Sequence, residues 1–303
     1  MNINEILKEE LLKFQNTEIG IGDQIDEKII QLGKKLYPLN NNVVLFAGGS
    51  GSGKGFVKDN LLGIEGKVFD ADELKSMFLR NVKLRKELKD IYGFDVDGFD
   101  FKNPDHVDKL HMIIKNKGVP ENRIEAFKQG VLSLQNKPNI IFDTTLSDFL
   151  KFNYIIQNVI SMGYTKENIH IVWVLTDYET ALQNNKNRSR VVSDVIFDAI
   201  HKGVSRTMKD ILNMSDNLDS LMDGDIHLVF NNPNEDTKDV RPDGFTKPSK
   251  KGLKTFGDTN PHYVKEANYI KLKEAGRPLK GYNEISQEII DKINRYVPSM
   301  TKW

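Results

Sequence analysis

Two kinds of apolar pattern alternate along this chain. Short runs in which most residues are apolar, Val43–Ala47, Lys67–Asp70, 139–143, 169–176 and Ile226–Phe230, read as buried strands. Between them, apolar residues recur every three or four positions, the period of helices with one buried face. Such stretches cover 71–89, 104–116, 121–136, 147–162 and 179–187. A longer one, with Val195, Ile196, Ile200, Val204, Met208, Ile211 and Leu212 in phase, starts where Ser193 can cap it, as Ser147 can cap the helix over 147–162. Strands separated by helices predict an α/β fold, a parallel five-stranded sheet of right-handed crossovers flanked by helices. Ahead of it, Ile6, Leu7, Leu11 and Phe14, then Ile29, Ile30, Leu32 and Leu36 before Pro38, predict two N-terminal helices over 3–14 and 26–37. Beyond residue 232 the residues turn to Pro, Gly, Asn, Asp and Lys. A loop-like stretch is expected until about residue 283, and then a closing helix over 283–296. The chain thus divides into an N-terminal helical segment (1–42), a central α/β domain (43–232) and a C-terminal extension (233–303).

The first of these strands runs straight into Gly48-Gly49-Ser50-Gly51-Ser52-Gly53-Lys54-Gly55-Phe56, with an apolar helix after it. Gly48-x4-Gly53-Lys54 has the spacing of a P-loop. Its glycines let successive backbone N–H groups wrap a polyphosphate while the following helix turns its positive end toward the same charge, and Lys54 reaches the outer phosphates. Residues 48–56 are therefore the candidate nucleotide cradle. One position departs from the pattern: Gly55 stands where Ser or Thr normally offers a hydroxyl to Mg²⁺. A metal there would rely on phosphates, waters and a carboxylate from elsewhere. Asp70 and Asp72 fall at the carboxyl end of the next strand, where open α/β sheets bind their ligands, and 139–143 ends in Asp143.

Composition narrows the field further. A chain of 303 residues that is 39% apolar can bury a full core with appendages, and its formal charge of zero leaves any nucleic-acid contact to a local basic patch. One such patch exists: 238–254 carries six basic residues against two acidic. The absence of cysteine excludes disulfides, thiolate zinc sites and cysteine nucleophiles. Asp95, Asp97 and Asp100 lack the spacing and terminal Glu of a calcium loop and read as turn residues. Acids near the N-terminus and the lack of a long apolar run predict a soluble, cytoplasmic chain with no membrane contact.

In motif order the chain resembles the small P-loop kinases of the zeta-toxin and polynucleotide-kinase group, and the P-loop kinases found in large tailed phages, in which case the host cytoplasm is its compartment. The resemblance rests on Gly48 to Lys54, then Asp70-Ala-Asp72-Glu-Leu-Lys75, then Asp143-Thr-Thr145, then a basic segment with Arg188 and Arg190, and spans about residues 43–232. It implies ATP and Mg²⁺ as cofactors and a hydroxyl-bearing, nucleotide-like acceptor. It assigns Asp72 as the base that takes the acceptor's proton, and Asp143 and Asp70 as metal or metal-water ligands. Thr145 would contact substrate or phosphate, and Arg188 and Arg190 would be lid residues that act with Lys54 on the transferred phosphoryl group. Each acid could equally be a helix cap, and each arginine part of a solvated basic turn. Asn231 and Asn232 fit either an adenine border or a plain turn.

Two functions follow as expectations. The first is an ATP-dependent phosphotransferase acting on a hydroxyl of a nucleotide, nucleotide sugar or nucleic acid end. The alternative is a nucleotide-dependent nucleic-acid-binding module that grips through 238–254 and lacks kinase activity. The sequence does not decide the oligomeric state.

Overall fold

The computed structural model describes residues 29–32, 35–62, 65–231, 246–249, 252–255, 269–279 and 285–302. The expected helix over 3–14 and Asn232 lie outside them. The strands β1 (Ile29–Leu32) and β2 (Lys35–Pro38) pair antiparallel, Ile29 opposite Pro38. The helix expected over 26–37 is therefore a hairpin. The residues explain the difference: β-branched Ile29 and Ile30 favour a strand, and Gly33 costs a helix interior about 1 kcal/mol.

The expected strands are all present: β3 (Val43–Ala47), β4 (Lys67–Asp70), β5 (Ile140–Asp143), β6 (Ile169–Leu175) and β7 (Ile226–Phe230). They pair in parallel in the order β4-β5-β3-β6-β7. Because β4 and β5 lie on one side of β3 while β6 and β7 lie on the other, the connections part company above β3. That is the point at which such sheets take ligands. Alternation along the strands feeds two cores. Val43, Leu45, Ile140, Phe142, Ile171 and Trp173 join the larger one, and Val44, Phe46, Ile141, Val172 and Val174 join a smaller one closed by Val57.

The helices follow the periodicity closely. After the glycine loop comes α1 (Lys54–Phe56), which widens at once into a π-helix over Val57–Leu62. The single helix expected over 71–89 is two, α2 (Ala71–Arg80) and α3 (Val82–Tyr92), because the Asn81 side chain accepts from Lys83 N at 3.0 Å and Leu84 N at 3.1 Å and so starts a new helix. Next are α4 (Pro104–Asn116) and α5 (Val119–Val131). Together α2, α3 and α4 form a helical insert between β4 and β5 with its own apolar centre, built on Phe78, Leu84, Leu88, Phe94 and Leu110. Then come α6 (Phe149–Ser161), capped by Asp148 rather than Ser147, α7 (Tyr178–Asn187) and α8 (Asp194–Asn213). Val195, expected on the buried face of α8, is exposed, and Phe197 and His201 are buried in its place.

The C-terminal extension is more ordered than its composition predicts. Strands β8 (Thr246–Ser249) and β9 (Gly252–Thr255) form a hairpin inside the basic stretch. A further strand, β10 (Tyr269–Lys273), adds antiparallel to β7 and makes the sheet six-stranded, and α9 (Gln287–Tyr296) matches the closing helix. Ile270 and Leu272 face the main core. A register shift then buries Lys273 completely, with its ammonium 2.6 Å from Asp223 and 3.3 Å from Asp219. Among the described residues, no helix is long and apolar enough to cross a membrane.

Removing this ammonium strands two carboxylates, so Lys273→Ala should destabilise the fold by about 3 kcal/mol. Urea unfolding would read this as a lowered midpoint, and an unchanged midpoint would mean that β10 is held by its apolar face alone.

Candidate active site

The loop after β3 is held by its carbonyls. Lys54 Nζ donates to Gly48 O at 2.8 Å and Gly49 O at 3.1 Å, and His201 Nε2 donates to Ser50 O at 2.9 Å. Asn184 Nδ2 reaches Gly51 O at 3.0 Å, while Thr176 Oγ1 at 2.7 Å and Asn231 Nδ2 at 2.9 Å share Ser52 O. Every carbonyl from Gly48 to Ser52 is thus bonded to a side chain. Fixing its carbonyls orders the loop, in which Gly48 N donates to Thr145 O at 3.1 Å and Ser52 N to Gly49 O at 3.3 Å; an ordered glycine loop of this spacing can present the N–H groups between them to an anion. The backbone this requires is left-handed at Gly51 (φ 76°) and Gly53 (φ 85°), where a Cβ would also collide with Ala181 O and with the Asn231 amide.

The neighbouring strand ends supply the acids. Parallel register sets Asp70 of β4 beside Asp143 of β5. Asp70 Oδ1 accepts from Asp72 N at 2.8 Å and so fixes the first turn of α2. The Asp72 carboxylate is held from both sides, by Lys75 Nζ at 3.3 Å and by an ion pair with Arg190. Asp143 pairs with Lys58 at 3.0 Å. Thr145 gives its carbonyl to Gly48 N at 3.1 Å, and its hydroxyl lies 3.1 Å from Ser147 Oγ.

The basic segment is pinned to its surroundings. Val191 N donates to Phe101 O at 3.0 Å, buried Asn185 donates to Val192 O at 2.8 Å, and Ser193 Oγ donates to Asp108 at 2.8 Å instead of capping α8. These ties seat the segment against the helical insert and direct Arg190 onto Asp72. Arg188, where α7 ends, acts electrostatically on both Lys54 and Lys75.

Burial pulls the Lys54 ammonium down to about 8; Asp143 and Asp70 pull it back, while Arg188 and Lys58 add to the fall. Burial likewise lowers Lys75, against the attraction of Asp70 and Asp108. His201 is pushed to about 4 by burial and stays neutral, consistent with an imidazole whose Nε2 proton is spent on the loop.

The expected residues therefore converge in part. Lys54, Asp70, Asp143 and Arg188 share one electrostatic neighbourhood, and Asp72 joins it through Lys75 and Arg190. Phe56 is 42% exposed on the far side of the turn from the buried Val57. The Mg²⁺ expected here has poor ligands: Gly55 offers no side chain, Asp143 is committed to Lys58, and no group of three or more potential ligands exists among the described residues. Several contributors were missed. His201 had a signal, since it follows Phe197 at helical spacing on a face that must be buried. Lys58, four residues after Lys54, and Lys75, three after Asp72, had the spacing of same-face helix neighbours. Asn184 and Thr176 had none, because their partner lies far away in sequence; Asn231, expected as an adenine border or a turn residue, instead donates to Ser52 O.

The chain has a mixed α/β fold with a six-stranded, mostly parallel sheet flanked by helices. No protein-family model and no curated protein matches its sequence. Among solved structures it is similar to a chain of the PezAT chromosomal toxin–antitoxin system of the human pathogen Streptococcus pneumoniae, at 13% identity and a TM-score of 0.42 over 75% of this chain and 77% of that one. It is also similar to a chain of the AvrRxo1-ORF1:AvrRxo1-ORF2 structure with sulphate ions, at 10% identity and a TM-score of 0.43, over 74% of this chain and 62% of that one. The native AvrRxo1-ORF1:-ORF2 complex gives 13% identity and a TM-score of 0.41, over 86% of this chain and 72% of that one.

A triphosphate in the loop would raise Lys54 from its value of about 8, so binding takes up a proton once the pH exceeds that value. Affinity for ATP should be flat below about pH 8 and fall by up to about tenfold per pH unit above it. Titration of a fluorescent ATP analogue across that range checks this, and Lys54→Ala should remove the dependence.

Proposed function

We propose that this chain is an ATP-dependent phosphotransferase that moves the γ-phosphoryl group to a hydroxyl of a nucleotide-like acceptor. The observation that supports it best is the pairing of a side-chain-braced glycine loop with a carboxylate, Asp72, clamped between Lys75 and Arg190 in the first turn of α2, directly after β4.

Each residue then has a task that its position suits. Loop N–H groups and Lys54 hold the phosphates. Asp72 orients the acceptor hydroxyl and takes its proton as that oxygen bonds to the γ-phosphorus, and the bond to the β–γ bridging oxygen breaks to release ADP. Arg188 and Arg190 lay planar, delocalised charge against the equatorial oxygens. An incoming triphosphate competes with Asp72 for Arg190, so binding of ATP both recruits the arginine and frees the base. Thr145, two residues beyond Asp143, borders the loop through the bond from Gly48 N to its carbonyl. When bound, Mg²⁺ would add charge neutralisation along the phosphates; Asp70 and Asp143 are the acids nearest to offer it an outer-sphere hold.

A second reading, a nucleic-acid grip by 238–254, has one observation in its favour. Lys247 and Lys254 stand opposite each other across β8 and β9, a repulsion that an anionic partner would relieve. Filter binding of labelled oligonucleotides should then fall steeply with salt and vanish when 238–255 is deleted; no retention at low salt would remove this reading.

For the first reading, γ-labelled ATP is incubated with nucleosides, nucleotide sugars and oligonucleotides to find which acquires label. Lys54→Ala and Asp72→Asn should both abolish transfer, by about 100-fold or more for the base, while only Lys54→Ala weakens ATP binding. Near-normal turnover by Asp72→Asn would end the assignment of Asp72.

A further inference from the structure

Lys58 is a charged group beside the crevice that no expected role covers. It lies one turn beyond Lys54 on the π-helical stretch, 3.0 Å from Asp143, with both side chains largely buried, 19% and 15% exposed. The position where a P-loop usually presents a metal-binding hydroxyl is Gly55, and a Cβ there would meet nothing within 4 Å. The hydroxyl is thus absent without any steric reason, and the acid that would complete a metal site already holds a cation.

We propose that Lys58 takes the part of the protein-held divalent ion: its ammonium, positioned by Asp143, neutralises the phosphate oxygens beside Gly55. This rests on the reading of residues 48–54 as a triphosphate cradle. An ammonium has three N–H donors in a tetrahedral spread. One is given to Asp143 at 3.0 Å, and an incoming phosphate would be met by the others. Lys58 also lies within electrostatic range of Lys54, and Asp143 and Asp70 act on both. A divalent ion bound to Asp143 would have to displace Lys58 or sit against it, and like charges at that range repel strongly in a partly dry crevice. In this arrangement Asp143 is a positioning residue, and any Mg²⁺ arrives on the nucleotide and keeps its waters.

Calorimetric titration with ATP, in EDTA and in Mg²⁺, tests this by affinity rather than turnover. The unsubstituted protein should bind ATP in EDTA within a few-fold of its affinity in Mg²⁺. Lys58→Ala should lose about tenfold or more in EDTA, the worth of one charge-assisted hydrogen bond, and recover most of it in Mg²⁺. Gly55→Ser combined with Lys58→Ala should make the Mg²⁺ requirement steeper still. Should Lys58→Ala unfold because Asp143 is stranded, Lys58→Ala with Asp143→Asn removes both charges and should show the same loss in EDTA. A wild-type protein that loses its ATP affinity on chelation as completely as Lys58→Ala does overturns the inference alone. Absence of binding in both buffers overturns the nucleotide reading, and this inference with it.

Discussion

The orientation of five peptide carbonyls is the constraint on which the rest of this molecule depends. A glycine-rich loop left to itself samples many conformations, and ordering it costs more entropy per residue than ordering any other sequence. Here that cost is offset by donors drawn from all around the loop: Lys54 from its own helix, Thr176 from the end of β6, Asn184 from α7, His201 from α8 and Asn231 from the end of β7. The sheet order explains how they can meet there, since β3 has β5 on one side and β6 on the other, with β7 one strand further. The fold is a means of bringing those five side chains to one turn of backbone.

A second set of ties connects that turn to the helical insert. Phe101 and Asp108 of the insert hold Val191 and Ser193, Asn185 holds Val192, and Arg190 between them closes onto Asp72. The basic segment is therefore a bridge with footings on both sides of the crevice. Arg190 therefore joins the acid of α2 to the segment seated on the insert.

How much of this was legible beforehand depends on the range of the interactions involved. The central strands read cleanly because they are buried on both faces, and the Gly48-x4-Gly53-Lys54 spacing carries its own mechanism. Local capping was nearly legible: Asp148 and not Ser147 starts α6, and Asn81 divides a helix that periodicity alone would join. The hairpin over 29–38 was misread because its apolar residues fit a helical period as well as an alternating one, and β10 because Lys271 and Lys273 made it look solvated. Lys273 is in fact buried beside Asp219 and Asp223, partners some fifty residues away that no local pattern reveals. The same holds for the site. Lys54, Asp70 and Asp143 belong to recognisable motifs, whereas Asn184 and Asn231 matter only because of where the chain returns.

The insert's separate apolar centre has a further consequence. Phe78, Leu84, Leu88 and Leu110 pack on one another and not on the sheet, so substitutions that reshape this lobe need not disturb the strands that carry the loop. Such a division lets the surface of one half be remodelled while the half built on the sheet stays as it is.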